Sequence, residues 1–216
     1  MAAEAKHREA IVTAAVNLFR QRGFTATGMN DIVAESGAPK GSVYHYFPEG
    51  KAQIGAEALA YAGRHLHANM LAMSEIEPDP AVLISLLIRG AADTLEQSGF
   101  RHGCPVAGIV LDTPPGDLRI MRAAEDAMGL WRQLIAQICA RAGLAQNRAA
   151  FIASVAISTF EGALIQARAA RDTAPMLAAA EALAMIVNAE LHARPQTSTV
   201  PAIRAERRAV PSKGKN

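Results

Sequence analysis

Apolar residues return every three or four positions along most of the chain and seldom alternate with polar ones. That pattern predicts helices and no sheet. Ile11, Ala14, Ala15, Leu18 and Phe19 form one stripe, predicting a first helix from about Glu4 to Arg22. Gly23, just past the last periodic residue, ends it. A second helix is expected over Met29 to Ser36, with Ile32 and Val33 turned toward that stripe. Gly37 suits a left-handed turn, and Pro39 presets a third helix over about Lys40 to Tyr46. So short a helix does not hold by itself, so Val43 and Phe47 must anchor it.

Pro48-Glu49-Gly50 breaks the pattern, and a long fourth helix is expected from Lys51 to Ser74, closed by Pro78-Asp79-Pro80. Further helices are expected at Ala81 to Gln97, Pro105 to Leu111, Asp117 to Arg141, Arg148 to Arg171 and Pro175 to Ala193. Gly99, Thr113-Pro114-Pro115-Gly116, Gly143 and the segment Asp172 to Pro175 punctuate them. The expected fold is all-α, with about nine helices. A three-helix unit at 1–51 precedes a larger helical unit at 52–193. The remainder, 194–216, has three prolines and few large apolar side chains, and reads as a disordered tail.

Half of the residues are apolar and only 5% are aromatic, which agrees with an alanine-rich helical chain. Met1 is followed by Ala, Glu, Lys and His without the apolar core of a secretory signal. The longest uninterrupted apolar runs fall short of a bilayer: Ala81 to Ile88 is broken by Ser85 and closed by Arg89. Cys104 and Cys139 are too few for a disulfide framework. A cytoplasmic chain with no membrane partner is therefore expected. The net charge of +2 is unevenly spread: the tail has six basic side chains against one acidic, while 52–193 has ten against fourteen. Nucleic acid would avoid the acidic middle and tolerate both ends.

The densest chemistry lies between Gly23 and Phe47. Two short helices joined by a tight turn, the second bearing Ser42, Tyr44, His45 and Tyr46, suit a helix laid in the major groove of DNA. Thr27 and Tyr46 have hydroxyls for phosphates. Lys40 and Gly41 open the third helix, where free N–H groups face the groove and glycine allows close approach. Ser42, Tyr44 and His45 are placed for base edges or thymine methyls. His45 reads equally well as a phosphate contact. Lys51 is expected to clamp a phosphate on the far side.

Gly23-Phe24, Thr27, Asp31-Ile32, Gly37, Lys40-Gly41-Ser42 and Tyr44-His45-Tyr46-Phe47 resemble, in register, the TetR family of transcriptional regulators. Gly28 and Pro39 stand where that family usually has Ser or Thr, so hydroxyl contacts there do not carry over. The spacer Pro48-Glu49-Gly50-Lys51 is one residue longer than common. With His102-Gly103-Cys104-Pro105-Val106-Ala107-Gly108, it resembles the LmrA/YxaF-type branch. The resemblance implies a ligand-responsive repressor that binds a palindromic operator as a dimer. It further implies control of efflux or catabolic genes and release by a small, largely apolar or aromatic effector.

Met70, Leu87, Cys104, Ile109, Met128, Trp131, Leu134 and Phe160 are the candidate ligand wall, though each taken singly reads more readily as ordinary core. Trp131 offers a ring and an N–H, and methionines adapt to varied shapes. Ile152, Val155, Ala156, Thr159, Phe160 and Ala163 on one helix and Leu183, Ile186, Val187 and Glu190 on the next suit a homodimer through the last two helices. Completion of the monomer core is the alternative. Glu161 breaks an apolar helix and faces either water or a ligand. Cys104, at a helix start, reads first as a small buried thiol and second as a redox sensor. His65 and His67 are two apart on a helix and point apart, so no metal site is expected. No cofactor is expected, and no nucleophile or acid–base set suggests an enzyme. The tail's arginines and lysines read as a solvated terminus, or as a nonspecific aid to DNA affinity.

Overall fold

A computed structural model describes residues 2–193, with side chains from residue 7 onward. The expected tail at 194–216 lies outside the described residues. Among those described there are nine helices and no strand: α1 (Ala2–Arg22), α2 (Met29–Ser36), α3 (Lys40–Tyr46), α4 (Lys51–Ile76), α5 (Pro80–Gln97), α6 (Pro105–Asp112), α7 (Leu118–Arg141), α8 (Gln146–Ala170) and α9 (Ala174–His192).

Local chemistry sets the boundaries. Gly37 ends α2 at φ 62°, the left-handed turn that glycine takes most readily. Gly28 supplies no capping side chain, so α2 is capped in reverse: the Gly28 N–H donates to the Asp31 carboxylate at 2.8 Å. Asp79 and Asp117 cap α5 and α7 by accepting backbone N–H groups. α8 begins at Gln146, two residues before the expected Arg148, with Ala145 as an extended N-cap.

In the larger unit α4 lies along α7, α7 along α8, α8 along α9, and α9 along α5. The approach of α4 to α7 is closest at Gly63, where an added Cβ would lie 2.8 Å from the Ala127 Cβ. One turn beyond Ala127, Trp131 donates its indole N–H to the Gly63 carbonyl at 3.0 Å.

α8 and α9 are the candidate membrane spans among the described residues. Each is long and apolar enough to cross a membrane by length and composition, although no uninterrupted run suggests it. Their apolar residues are spread around the helix and interleaved with alanine, so polar residues interrupt the run without making the helix polar. Only 33% and 28% of those apolar windows are buried. Of the stripes expected to form a dimer face, Ile152, Ala156, Ala163, Leu183 and Val187 are instead buried in the chain's own core, while Phe151, Ile165, Met185 and Ile186 lie on the surface of these two helices.

Candidate nucleic-acid interface

The three-helix unit is assembled on the apolar stripe of α1. Ile11, Ala15, Leu18 and Phe19 are buried against Ile32 of α2 and Val43 of α3, with Phe47 closing the base. α3 alone has too few residues to persist, and its two fully buried anchors, Val43 and Phe47, supply the missing stability. Burying that face turns the other outward: Lys40, Gly41, Tyr44 and His45 are exposed, and Ser42 and Tyr46 are half-buried. Nothing lies within 4 Å of an added Gly41 Cβ, so the N-terminal turn of α3 is open to solvent. The His45 and Tyr46 rings meet edge-on with centroids 5.2 Å apart.

Two expected contact residues face elsewhere. Thr27 is fully buried, and its hydroxyl donates to the Gly23 carbonyl at 2.8 Å. Its proton is committed to the turn between α1 and α2, and a phosphate cannot reach it. Lys51 does not stand out as a clamp either. Its ammonium donates to the carbonyls of Phe24 at 3.1 Å, Thr25 at 3.4 Å and Thr27 at 3.2 Å, and sits 4.8 Å from the Phe24 ring centre. A lysine has three donors, and this one spends all three on the α1–α2 loop. Lys51 therefore fastens that loop to α4.

The loop is held from the other side by residues that the sequence gave no reason to single out. The Asp112 carboxylate accepts from the Thr25 N–H at 3.0 Å, and the Asp112 carbonyl accepts from the Thr25 hydroxyl at 3.2 Å. At the opposite end of α6 the Gly103 N–H donates to the Arg20 carbonyl at 2.9 Å. Arg8 pairs with Glu57 at 2.6 Å, and Arg119 of α7 pairs with Glu49. Phe24 lies flush on Gly55, where an added Cβ would meet its ring at 2.8 Å and Ile120 at 2.9 Å. The three-helix unit is thus bolted to α4, α6 and α7.

The candidate ligand wall is only partly brought together. Met70 and Leu87 border a void of about 10 Å³ between α4, α5 and α7, with Pro80, Leu83, Ile84, Ile135, Ile138 and Cys139. That is room for roughly one water, and the lining offers it little to bond. Trp131 is buried, and its N–H is taken by Gly63 rather than free for a ligand. Ile109 and Leu134 are buried core residues. Met128 and Phe160 are half-buried and pack against the core. Cys104 caps α6, its Sγ accepting from the Ala107 N–H at 3.5 Å. Burial, then the nearby Glu161, push its thiol well above the usual range. A helix start does not activate this cysteine, and the small-thiol reading fits it better than the redox one. Cys139, also buried, is pushed up to about 11.

Residues 11–58 match the model for bacterial regulatory proteins of the tetR family. Residues 80–182 match that for the C-terminal domain of LmrA/YxaF-like transcriptional regulators. An uncharacterized HTH-type transcriptional regulator of Mycobacterium tuberculosis is 36% identical over 192 residues, 87% of this chain and 97% of that one. The chain belongs to the TetR family. The HTH-type regulator YxaF of Bacillus subtilis is 30% identical across 87% of this chain and 98% of its own. A TetR transcriptional regulator from Chloroflexus aurantiacus has the same fold, with a TM-score of 0.70 at 24% identity, covering 87% of this chain and 97% of that one. The helix-turn-helix unit is accordingly that of a DNA-binding transcriptional regulator and not part of an enzyme.

Proposed function

We propose that this TetR-family regulator is a homodimeric repressor that holds a palindromic operator and lets go when a small, largely apolar or aromatic effector binds. The observation that carries the reading is the outward face of α3, where Lys40, Gly41, Tyr44 and His45 are exposed on a helix fixed from beneath by Val43 and Phe47. In this reading Ser42, Tyr44 and His45 meet base edges. Tyr46 and the opened N-terminal turn of α3 meet phosphates.

Two readers are needed because one short helix reads too few bases to be selective. Phe151, Ile165, Met185 and Ile186 supply an apolar surface on α8 and α9 from which a four-helix, two-fold interface can be built. The clasps around the α1–α2 loop suggest how release works. Since Asp112 and Gly103 hold the reader at both ends of α6, a displacement of α6 or α4 carries the reader with it. An effector wedged between α4 and α7 favours the displaced state, and the two readers lose the spacing of their half-sites. The void beside Met70 must widen to admit such a molecule, so binding and movement are one event. Efflux or catabolic genes are the expected targets, and the cytoplasm the expected location.

A mobility shift on the DNA flanking the gene, with and without a panel of planar aromatic compounds, tests the reading. Release by at least one compound at micromolar concentration is expected. A complex that none of the panel disturbs would contradict the effector half, and no complex at all would contradict both halves.

A further inference from the structure

Tyr46 and Glu49, on the two sides of the break between α3 and α4, are held by one side chain. Gln53, in the first turn of α4, accepts the Glu49 N–H on its Oε1 at 3.2 Å and donates from its Nε2 to the Tyr46 carbonyl at 3.2 Å. The chain enters α4 through Gly50 at φ 69°, a left-handed value that glycine takes readily. Gly50 has no side chain with which to cap α4. A glutamine at the third helical position that reaches back to a backbone N–H is the acceptor half of a capping box, here displaced by one residue. That accounts for Oε1 and leaves Nε2 unexplained.

The Nε2 bond matters because of what holds α3. Its buried anchors, Val43 and Phe47, are four residues apart and so lie along one line of the helix surface. A line of contact fixes the depth of a short helix and leaves it free to roll. At the N-terminal end the roll is checked by buried Ala38, whose N–H donates to the Ser36 hydroxyl at 3.2 Å. At the C-terminal end the last carbonyls have no partner within the helix. Among the described residues, Gln53 alone donates a side-chain hydrogen bond to one of them.

We propose that Gln53 is a positioning residue for DNA reading: its amide stops α3 from rolling and so aims Tyr44 and His45 at their base pairs. The inference rests on α3 being the reading helix, as proposed above, and adds what sets the aim of that helix. Gln53 acts through α3 and touches no base. Its bond from Glu49 orients the amide, and its bond to Tyr46 carries the restraint. The Glu49 carboxylate is paired with Arg119, so the loop that the amide grips is itself tied to α7. That pair is exposed and contributes little by itself, which leaves the amide as the strut. Ser42 lies toward the Ala38 end of α3, whereas Tyr44 and His45 lie in its last turn, nearest the strut. Loss of the strut therefore disturbs the two ends unequally.

Two substitutions separate a cap of α4 from a strut for α3. Gln53→Glu keeps an oxygen for the Glu49 N–H, and a carboxylate suits the start of a helix, but it cannot donate to Tyr46. Gln53→Met keeps the length of the side chain and makes neither bond. Each full-length variant, once a melting curve shows that it folds, is put through selection from a random pool of duplexes beside wild type, Ser42→Ala and Tyr44→Ala. Both Gln53 variants are expected to lose about tenfold in discrimination at the base pairs that Tyr44→Ala blurs, and to keep it at those that Ser42→Ala blurs. A wild-type profile for Gln53→Glu would overturn the inference and leave Gln53 as a cap of α4. Equal blurring at every position, the mark of a reader loosened throughout, would overturn it too. Should methionine prevent folding, the glutamate variant decides alone. Enrichment of no sequence by wild type would instead overturn α3 as the reading helix, and this inference with it.

Discussion

Asp112, the last residue of α6, holds Thr25 at two points, one through its carboxylate at 3.0 Å and one through its carbonyl at 3.2 Å. The partners are 87 residues apart in sequence and join the reader to the larger unit. Gly23 allows the approach, since an added Cβ there would lie 2.8 Å from the same carboxylate oxygen. Asp112→Ala keeps the carbonyl and loses the carboxylate, about 0.5–1.5 kcal/mol at an exposed site. Operator affinity measured by fluorescence anisotropy is expected to fall several-fold, with the melting temperature nearly unchanged. Unaltered affinity would mean that the clasp does not position the reader.

Lys51 offers a sharper contrast. A phosphate clamp and a loop fastener both weaken DNA binding when removed, but only the clamp releases a counterion. For Lys51→Met, affinity is expected to drop for operator and random DNA with the salt dependence unchanged. A slope shallower by about one unit would restore the phosphate role.

At Gly63 the close approach of α4 and α7 leaves no room for a methyl group, because the Ala127 Cβ and Cα are 2.8 and 2.9 Å from where it would sit. Gly63→Ala is expected to destabilise by about 1–3 kcal/mol despite its better helix propensity. Denaturant titration reads this directly, and a stabilised variant would contradict the packing.

Glu161 makes stability depend on pH in a defined direction. Its folded-state pKa is raised above the ordinary value of 4.5, chiefly by burial. The stability associated with its neutral form is therefore fully present below that ordinary value, and is lost as pH rises through the higher folded-state value. Glu161→Gln cannot ionise, so its melting temperature should gain on wild type from pH 4 to pH 8. A constant difference between the two would show that the carboxyl is solvated.

The proposed dimer surface is tested by charge. Met185 is 72% exposed and Ile165 56% on the two helices that are long and apolar enough to cross a membrane by length and composition. Ile165→Asp with Met185→Asp should give a folded monomer by sedimentation, with operator affinity reduced by well over tenfold. A wild type that is itself monomeric would contradict the interface.

Much of this architecture was legible because helical signals are local. Gly23, Gly37 and Pro39 bound α2 and α3 where expected, and the stripe on α1 names the residues that Ile32, Val43 and Phe47 cover. The errors arose where a side chain's partner is distant or unseen in the pattern. Thr27 and Lys51 have the right chemistry for phosphate, yet the α1–α2 loop offers them nearer carbonyls. The N–H of Trp131 is claimed by Gly63, 68 residues away. Asp112 lies one residue past the expected end of its helix, and nothing local marks its pairing with Thr25. Glu161 was visible as an interruption, but only the fold brings it against Cys104.

Selection from a random pool of duplexes, at moderate salt and without added small molecules, tests the central claim most directly. Wild type is expected to enrich a two-fold symmetric sequence, and Tyr44→Ala to blur it while random-duplex binding stays nearly constant. Enrichment of no sequence by wild type would contradict the assignment of α3 as the reading helix.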